Sequence, residues 1–432
     1  MRQAATQHVQ IIAFPELSIT AYTCLDLFQQ ETLLRQAEKA LTELVCKTAD
    51  LDLMAIVGCP LRSCSQLINA AVVFQRGEIL GVVPKSYLPS YKEFQEERWF
   101  TPAYQLQESV IQIGGRTVPM DSYLLFEYEQ VKVGVEICED LWVPIPPSSE
   151  LAMQGANLIF NLSASNELIG KHTYLRSLIA QQSARCIAGY IYASAGFGES
   201  STDLVFAGNG IIAENGVILK ESERFSMEEQ LVISEIDVEN LMNDRRVNTS
   251  FMQGYLNHNL TNATIIPFSL PNHTLRLTRP IDPHPFTPSG EALQERCEEI
   301  FHIQVAGLAK RLLHTHAQTA VVGISGGLDS TLALLVTVMT FDALKLPRER
   351  IIGITMPGFG TTDRTYTNAC NLIRSLGVTL KEISIKAACL QHFQDIEHDP
   401  SVHDVTYENS QARERTQLLM DVANKANGMV IG

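Results

Sequence analysis

Cys138 follows the apolar run Val131–Ile137 and precedes Glu139-Asp140-Leu141-Trp142. A thiol at the end of a strand, just before a helix, can be poised as a thiolate by the amides of the helix terminus. No histidine stands in a matching strand-end context, so a base of another kind is required. Glu16, in Phe14-Pro15-Glu16, supplies a carboxylate after one apolar run, and Lys85 supplies an ammonium on the turn Pro84-Lys85-Ser86-Tyr87-Leu88-Pro89 after another. A carboxylate can take a thiol proton and later activate water, while an ammonium can stabilise a tetrahedral oxyanion. Each residue alone is more often a solvated charge or a buried thiol. Together they suit nucleophilic attack on a carbonyl carbon.

A second chemistry-bearing stretch is Gly323-Ile324-Ser325-Gly326-Gly327-Leu328-Asp329-Ser330, between an apolar strand and a helix. Glycines let backbone amides approach a polyanion, the helix N-terminus adds partial positive charge, and serine hydroxyls can donate to phosphate oxygens. A carboxylate repels phosphate, so Asp329 makes sense there as an oxygen ligand to a bridging magnesium ion. The competing reading is an ordinary helix N-terminus capped by Asp329 or Ser330. The stretch lacks the Gly-Lys pair that closes a Walker A loop.

Elements of two kinds must position these groups. Residues 11–235 alternate short β-branched strands with helices; candidates are Ile11–Pro15, Ala55–Gly58, Ala70–Gln75, Val131–Ile137, Leu158–Leu162 and Tyr190–Ala193, with helices from Leu141 to Gln154 and from His172 to Cys186. From Pro267 to Pro288 six prolines exclude regular helix and mark an ordered connector. Ser289 is a plausible N-cap for a helix with Leu293, Cys297, Ile300, Phe301, Val305, Leu308 and Leu312 on one face. Strand Thr319–Ile324, a helix from near Thr331, strand Ile351–Met356, helix Thr365–Leu376 and strand Val378–Ser384 then predict a parallel, Rossmann-like sheet. The expected division is 1–257, a connector over 258–288, and 289–432. The chain opens close to a buried strand and closes on Gly428-Met-Val-Ile-Gly432, which leads us to expect a protein cut short at both ends.

Bulk composition narrows the function. With 432 residues, 45% hydrophobic and 19% charged, the chain supports a sizeable core in each of two domains. A formal charge of −15 argues against a nucleic-acid-coating surface. No apolar run reaches the roughly 18–20 residues of a membrane span, so no membrane partner is expected. The nine cysteines include no CxxC pair, which fits reduced thiols in a cytoplasmic protein better than a zinc or disulfide framework.

Phe14-Pro15-Glu16-Leu17-Ser18, the Lys85 turn with its downstream Tyr91-Lys-Glu-Phe-Gln-Glu-Glu-Arg-Trp99, and Glu136-Ile-Cys-Glu-Asp-Leu-Trp142 resemble nitrilase-superfamily amidases in order and spacing. The resemblance implies an αββα sandwich with Glu16 as general base, Lys85 as oxyanion stabiliser and Cys138 as nucleophile, and matches Glu93 to an assisting glutamate. The Ser325–Ser330 loop resembles the PP-loop of ATP pyrophosphatases, with an adenine nucleotide alpha hydrolase-like fold. An amidase joined to such a domain resembles the glutamine-dependent NAD synthetases. That family implies ammonia release from glutamine and its tunnelled transfer to ATP-adenylated deamido-NAD+, with ATP as substrate and Mg2+ as cofactor. It also implies a homo-oligomer. Tyr91, Ser165 in Asn161-Leu-Ser-Ala-Ser165, and Lys171 resemble glutamine-binding positions, although many members carry arginine in place of Lys171. Gly196-Phe-Gly-Glu199 and Thr202–Gly208 match a stretch we assign to scaffolding, and Met356–Asp363 matches an adenine and ribose loop. Arg413, in Glu408-Asn-Ser-Gln-Ala-Arg413, resembles a contact to deamido-NAD+. In that family further ATP- and metal-binding segments lie beyond the position matching Gly432, so an incomplete synthetase site is expected. The alternative is a stand-alone carbon–nitrogen hydrolase with a non-functional nucleotide domain.

Overall fold

The computed structural model describes residues 1–201, 204–257, 262–270, 277–290, 292–360 and 363–432. Thr202 and Asp203 of one matched stretch, Thr361 and Thr362 of another, and residues 258–261 and 271–276 of the connector lie outside the described residues. The chain forms two compact units, Met1–Ile281 and Asp282–Gly432.

In the first unit, β1 (Ile11–Ala13), β2 (Met54–Ser63), β3 (Gln66–Gln75) and β4 (Glu78–Pro84) form a sheet in that order. β1 runs parallel to β2, and β2, β3 and β4 form an antiparallel meander without intervening helices. A hairpin of β5 (Val110–Ile113) and β6 (Arg116–Pro119) follows. The second sheet comprises β7 (Leu124–Tyr128), β8 (Val131–Ile137), β9 (Leu158–Ser163), β10 (Gly189–Ser194), β11 (Gly210–Glu214), β12 (Val217–Glu221) and β13 (Thr264–Pro267). Its order is β12-β11-β10-β9-β8-β7-β13, with β8, β9 and β10 parallel at its centre.

Side-chain alternation builds the layers, because successive residues of a strand face opposite sides. Met54, Ile56, Ala71 and Val73 meet Val133, Val135, Phe160 and Leu162 in a core between the two sheets. The neighbours Ala55, Val57, Val72 and Phe74 face outward onto Ala37, Leu41 and Val45 of helix Glu31–Lys47. On the far side, Ile159, Tyr190 and Tyr192 pack on Leu151, Leu175 and Ile179 of helices Pro147–Met153 and Lys171–Cys186. These four layers are the αββα sandwich.

One expected helix is shorter than its sequence span. Between Leu141 and Gln154 the helix starts only at Pro147, because Pro144 and Pro146 lack the amides that a helix interior needs.

The second unit carries the parallel sheet β16-β15-β14-β17, built from β14 (Thr319–Gly323), β15 (Ile351–Thr355), β16 (Thr379–Glu382) and β17 (Gly428–Ile431). Strand order reverses beside β14, so the crevice at its carboxyl end is the switch point where ligands bind in open α/β sheets. Helix Leu293–Thr315 begins after Ala292, with no side-chain cap, so Ser289 is not its N-cap; Gly290 turns through a left-handed φ of +72° before the helix starts. Of the apolar face expected there, Leu312 is fully buried and Leu308 packs on the core, while Leu293 and Ile300 are exposed.

Candidate active site

β1, β2 and β4 point the same way, which brings the residues following β1 and β4 to one end of their sheet. Glu16 follows β1, Lys85 follows β4 directly, and Cys138 follows β8 directly. Gly58 lets the Glu16 turn lie on β2: a Cβ there would sit 2.1 Å from the Leu17 amide nitrogen. Asn69, on the middle strand β3, joins the two ends. Its carbonyl accepts from the Lys85 amide at 2.8 Å and its Nδ2 donates to Glu16 Oε1 at 2.6 Å.

The result is a buried charge cluster. Lys85 Nζ donates to Glu16 Oε1 at 2.7 Å and to both oxygens of Glu96 at 2.7 and 2.8 Å. Glu16, Lys85 and Glu96 are each 1% exposed. Burial opposes the Lys85 charge, but Glu16 and Glu96 overcome it and hold the ammonium well above its ordinary range. Burial, with repulsion from Glu16, pushes Glu96 up to about 7 against the opposing pull of Lys85 and the Tyr22 hydroxyl. Glu16 Oε2 is buried and has no hydrogen-bond partner among the described residues.

Cys138 sits in a one-turn helix, Cys138–Leu141, at a left-handed φ of +46°. Such a conformation costs on the order of 1–3 kcal/mol for a non-glycine residue and persists where its surroundings impose it. Here the Cys138 amide donates to Asn161 Oδ1 at 3.2 Å, and Asn161 is held by Ser163 on its own strand, β9, and by Tyr190 on the neighbouring β10. Tyr190 donates in turn to the buried carboxylate of Glu136. Asp140 joins the two halves of the site: its carboxylate accepts from the amides of Ile137 at 2.9 Å, Tyr87 at 2.9 Å and Ser86 at 3.1 Å.

The helix-terminus amides are not the only influence on the Cys138 thiol. Burial, then the nearby Glu16 carboxylate, push the Cys138 thiol far up, and Lys85 opposes them only in part. A single turn of helix offers too small a dipole to reverse that. These surroundings favour the thiol over the thiolate at Cys138.

The other expected contacts fall into place unevenly. Tyr91 donates to Glu139 Oε1 at 2.9 Å, and Lys171 Nζ holds the carbonyl and Oδ1 of Asn166 at 2.9 Å each while lying 5.3 Å from the Trp142 ring centre. Both lie within electrostatic reach of Cys138. Ser165 is buried, its amide donating to Ser194 Oγ at 3.3 Å. Glu93, matched to the assisting glutamate, instead accepts from Asn166 Nδ2 at 2.6 Å, and Glu96 occupies the place on Lys85. Asn69, Glu96, Asp140 and Asn161 were not found from the sequence as parts of this site.

In the second unit, the loop after β14 leads into helix Leu328–Ala343, whose N-cap is Gly327. Ser325 Oγ lies 3.2 Å from Ser330 Oγ and accepts from the Gly327 amide at 3.2 Å, so the loop closes on its own hydroxyls. Gly326 takes a φ of +85°, and a Cβ on it would lie 2.5 Å from the Thr365 carbonyl oxygen. Gly323 ends β14 and Ile324 is buried under the loop, while Leu328 and Asp329 are exposed in the first helical turn. Arg413 is exposed on helix Val405–Lys425; Gln411, from the same helix, accepts from the Phe359 amide at 3.2 Å and so fastens the loop after β15.

Among the described residues no helix is long and apolar enough to cross a membrane, and no cluster of three or more metal-ligating side chains occurs. Asp329 therefore offers one carboxylate, a donor set that suits a magnesium ion otherwise held by substrate phosphates and water.

Comparison with known proteins places the chain among families. The carbon–nitrogen hydrolase family matches residues 1–246, and the NAD synthase family matches residues 300–432. The glutamine-dependent NAD(+) synthetase of Mycobacterium bovis is 41% identical over 434 residues, covering 98% of this chain and 64% of the relative. That of Mycobacterium leprae is 40% identical, covering 100% and 65%. That of Aquifex aeolicus is 29% identical, covering 98% and 68%. The chain thus spans about two-thirds of the length of the curated relatives it matches.

Proposed function

The chain belongs to the carbon–nitrogen hydrolase family through residues 1–246, and from that premise we propose that it acts as a glutamine-dependent NAD+ synthetase whose ammonia is generated at Cys138. The observation that carries this reading is the convergence of Glu16, Lys85 and Cys138 at the strand ends, with Glu16 Oε2 unpaired. Glutamine enters with its side-chain amide at Cys138 and its α-carboxylate toward Lys171. Glu16 removes the Sγ proton as sulfur attacks the amide carbon, and Lys85 stabilises the oxyanion. The proton passes to the leaving nitrogen, ammonia departs, and a thioester remains. Water, deprotonated by Glu16, then attacks that thioester; glutamate leaves and the thiol is restored.

At the second site the Ser325–Ser330 loop and its helix N-terminus would hold the ATP phosphates, and Asp329 would hold magnesium. Bound there, the ion would supply charge neutralisation to the pyrophosphate. Arg413 contacts deamido-NAD+. The nicotinate carboxylate attacks the α-phosphorus and expels pyrophosphate; ammonia then attacks the acyl carbon, AMP leaves, and the amide of NAD+ is formed. We place this activity in the cytoplasm and in a homo-oligomer.

Glutamine turnover by the purified chain tests the reading. It is expected to exceed turnover of other primary amides by at least tenfold and to rise when ATP, magnesium and deamido-NAD+ are added together. Equal turnover of unrelated amides, with no response to those ligands, would establish the stand-alone hydrolase instead. Gly326→Ala is expected to weaken ATP binding by about tenfold or more, since a left-handed non-glycine conformation alone costs roughly 1–2 kcal/mol. Calorimetric titration with ATP checks this; unchanged affinity would remove the loop from the nucleotide site.

A further inference from the structure

The segment that follows Glu16 is unusually strained. Leu17, Ala21 and Leu25 all adopt left-handed φ values, +49°, +81° and +50°, and none is glycine. Such residues need an external restraint. Glu199, from the Gly196–Glu199 segment read from sequence as scaffolding, supplies it. Its carboxylate accepts from the Tyr22 amide at 2.8 Å, the Thr23 amide at 3.0 Å and Thr23 Oγ1 at 2.6 Å. The Ser200 amide donates to Thr23 Oγ1 at 3.0 Å, and Phe206 packs edge-on against the Tyr22 ring at 6.2 Å. The far end of Tyr22 enters the charge cluster, its hydroxyl donating to Glu96 Oε1 at 2.9 Å. An unbroken path of hydrogen bonds and one rigid ring therefore joins Glu199 to Glu96 and through it to Lys85.

We propose that Glu199 is a positioning residue of the amide-hydrolysing site, fixing the strained loop so that the Tyr22 hydroxyl holds the Glu96 carboxylate on Lys85. This rests on the glutaminase reading for its kinetic consequence, but its structural consequence is independent of any substrate. The charged and titratable groups around Glu96 are Lys85, Glu16, Tyr22 and Cys138. Of these, Tyr22 is the one whose place is set from the Glu199 side. Losing its donated hydrogen bond removes an interaction that favours the Glu96 carboxylate, so Glu96 should protonate at higher pH.

Infrared difference spectra across pH, with the Glu96 carboxyl band assigned by its loss in Glu96→Gln, read this directly. Tyr22→Phe and Glu199→Ala are each expected to raise the Glu96 midpoint by at least about half a pH unit, and the double variant no further, because both act through one hydrogen bond. Glutamine kcat should fall about tenfold in each with KM within twofold. Glu199→Gln retains one oxygen acceptor and carries the test in the same direction if Glu199→Ala does not fold. A Glu96 midpoint unchanged by the Glu199 variants, or additive shifts in the double variant, would overturn the proposal. Shifted midpoints in a chain that hydrolyses no glutamine would instead overturn the glutaminase reading and leave the positioning role standing.

Discussion

Cys138→Ala is expected to reduce glutamine hydrolysis by on the order of 10⁴-fold or more while leaving the fold in place. Removing a covalent nucleophile eliminates the pathway through the thioester, and what remains is only the effect of binding and of charges around the bound amide. The structural loss is one buried sulfur atom. Cys138 is 6% exposed, and its backbone is fixed by Asn161 through the amide, which alanine keeps. The stability change should be about 1 kcal/mol or less, as for small deletions in a core. Mass analysis after incubation with a glutamine-analogue electrophile provides the companion measurement: the wild-type chain should carry one adduct on the Cys138 peptide and the variant none. Retained turnover in the variant, or an adduct on another cysteine at the same rate, would show that the nucleophile has been misassigned.

The parts of this site that could be read from the sequence are those where a chemically distinctive residue ends a long apolar run. Val131–Ile137 is buried over most of its length, and a cysteine at its end stands out because the strand before it is unambiguous. The same holds for Lys85 after β4 and for the glycine-rich turn after β14. What escaped was set by chain reversals rather than by periodicity. Between Tyr91 and Trp99 three glutamates occur, and nothing in their spacing says which one turns inward. The structure settles it through one turn of helix, Glu96–Arg98, in which the Glu96 amide donates to the Pro89 carbonyl and the Glu96 carbonyl accepts from the Phe100 amide. Glu93 faces Asn166 instead. The buried Phe100 was the available signal, since an apolar anchor four residues on from Glu96 draws that turn into the core. Asn69 was invisible for another reason: its role depends on pairing between β3 and β4, and register is a tertiary property.

The state of Cys138 is set by more than the helix that follows it. A cysteine before a helix reads as activated when only the helix is considered, but two carboxylates and a single lysine surround this one in a buried site. The net field favours the thiol. A nucleophile held as a thiol would need a base at the moment of attack, the role proposed for Glu16.

Lys85→Met should be the most destabilising single change in the first unit. It keeps much of the side-chain volume but leaves Glu16 and Glu96 buried without their shared cation, and breaking a buried pair in this way typically costs about 3–5 kcal/mol. For a unit of this size that corresponds to a fall of roughly 10 °C in Tm. The pH dependence identifies the cause. Glu96 already has a folded pKa of about 7 against an ordinary value of 4.5, so protonation favours the folded chain. Its contribution is fully present below about 4.5 and is lost as pH rises through about 7. Without Lys85 the folded value rises further, and the loss of stability on going from pH 5 to pH 9 should steepen in the variant relative to wild type. A Tm penalty that is large but flat across this range would point to packing rather than to stranded carboxylates. Glu96→Gln placed in the Lys85→Met background separates the two contributions: it removes one of the stranded charges, and it should recover part of the Tm at pH 9 and little at pH 5. Recovery that is equal at both pH values would exclude the buried charge as the source of the penalty.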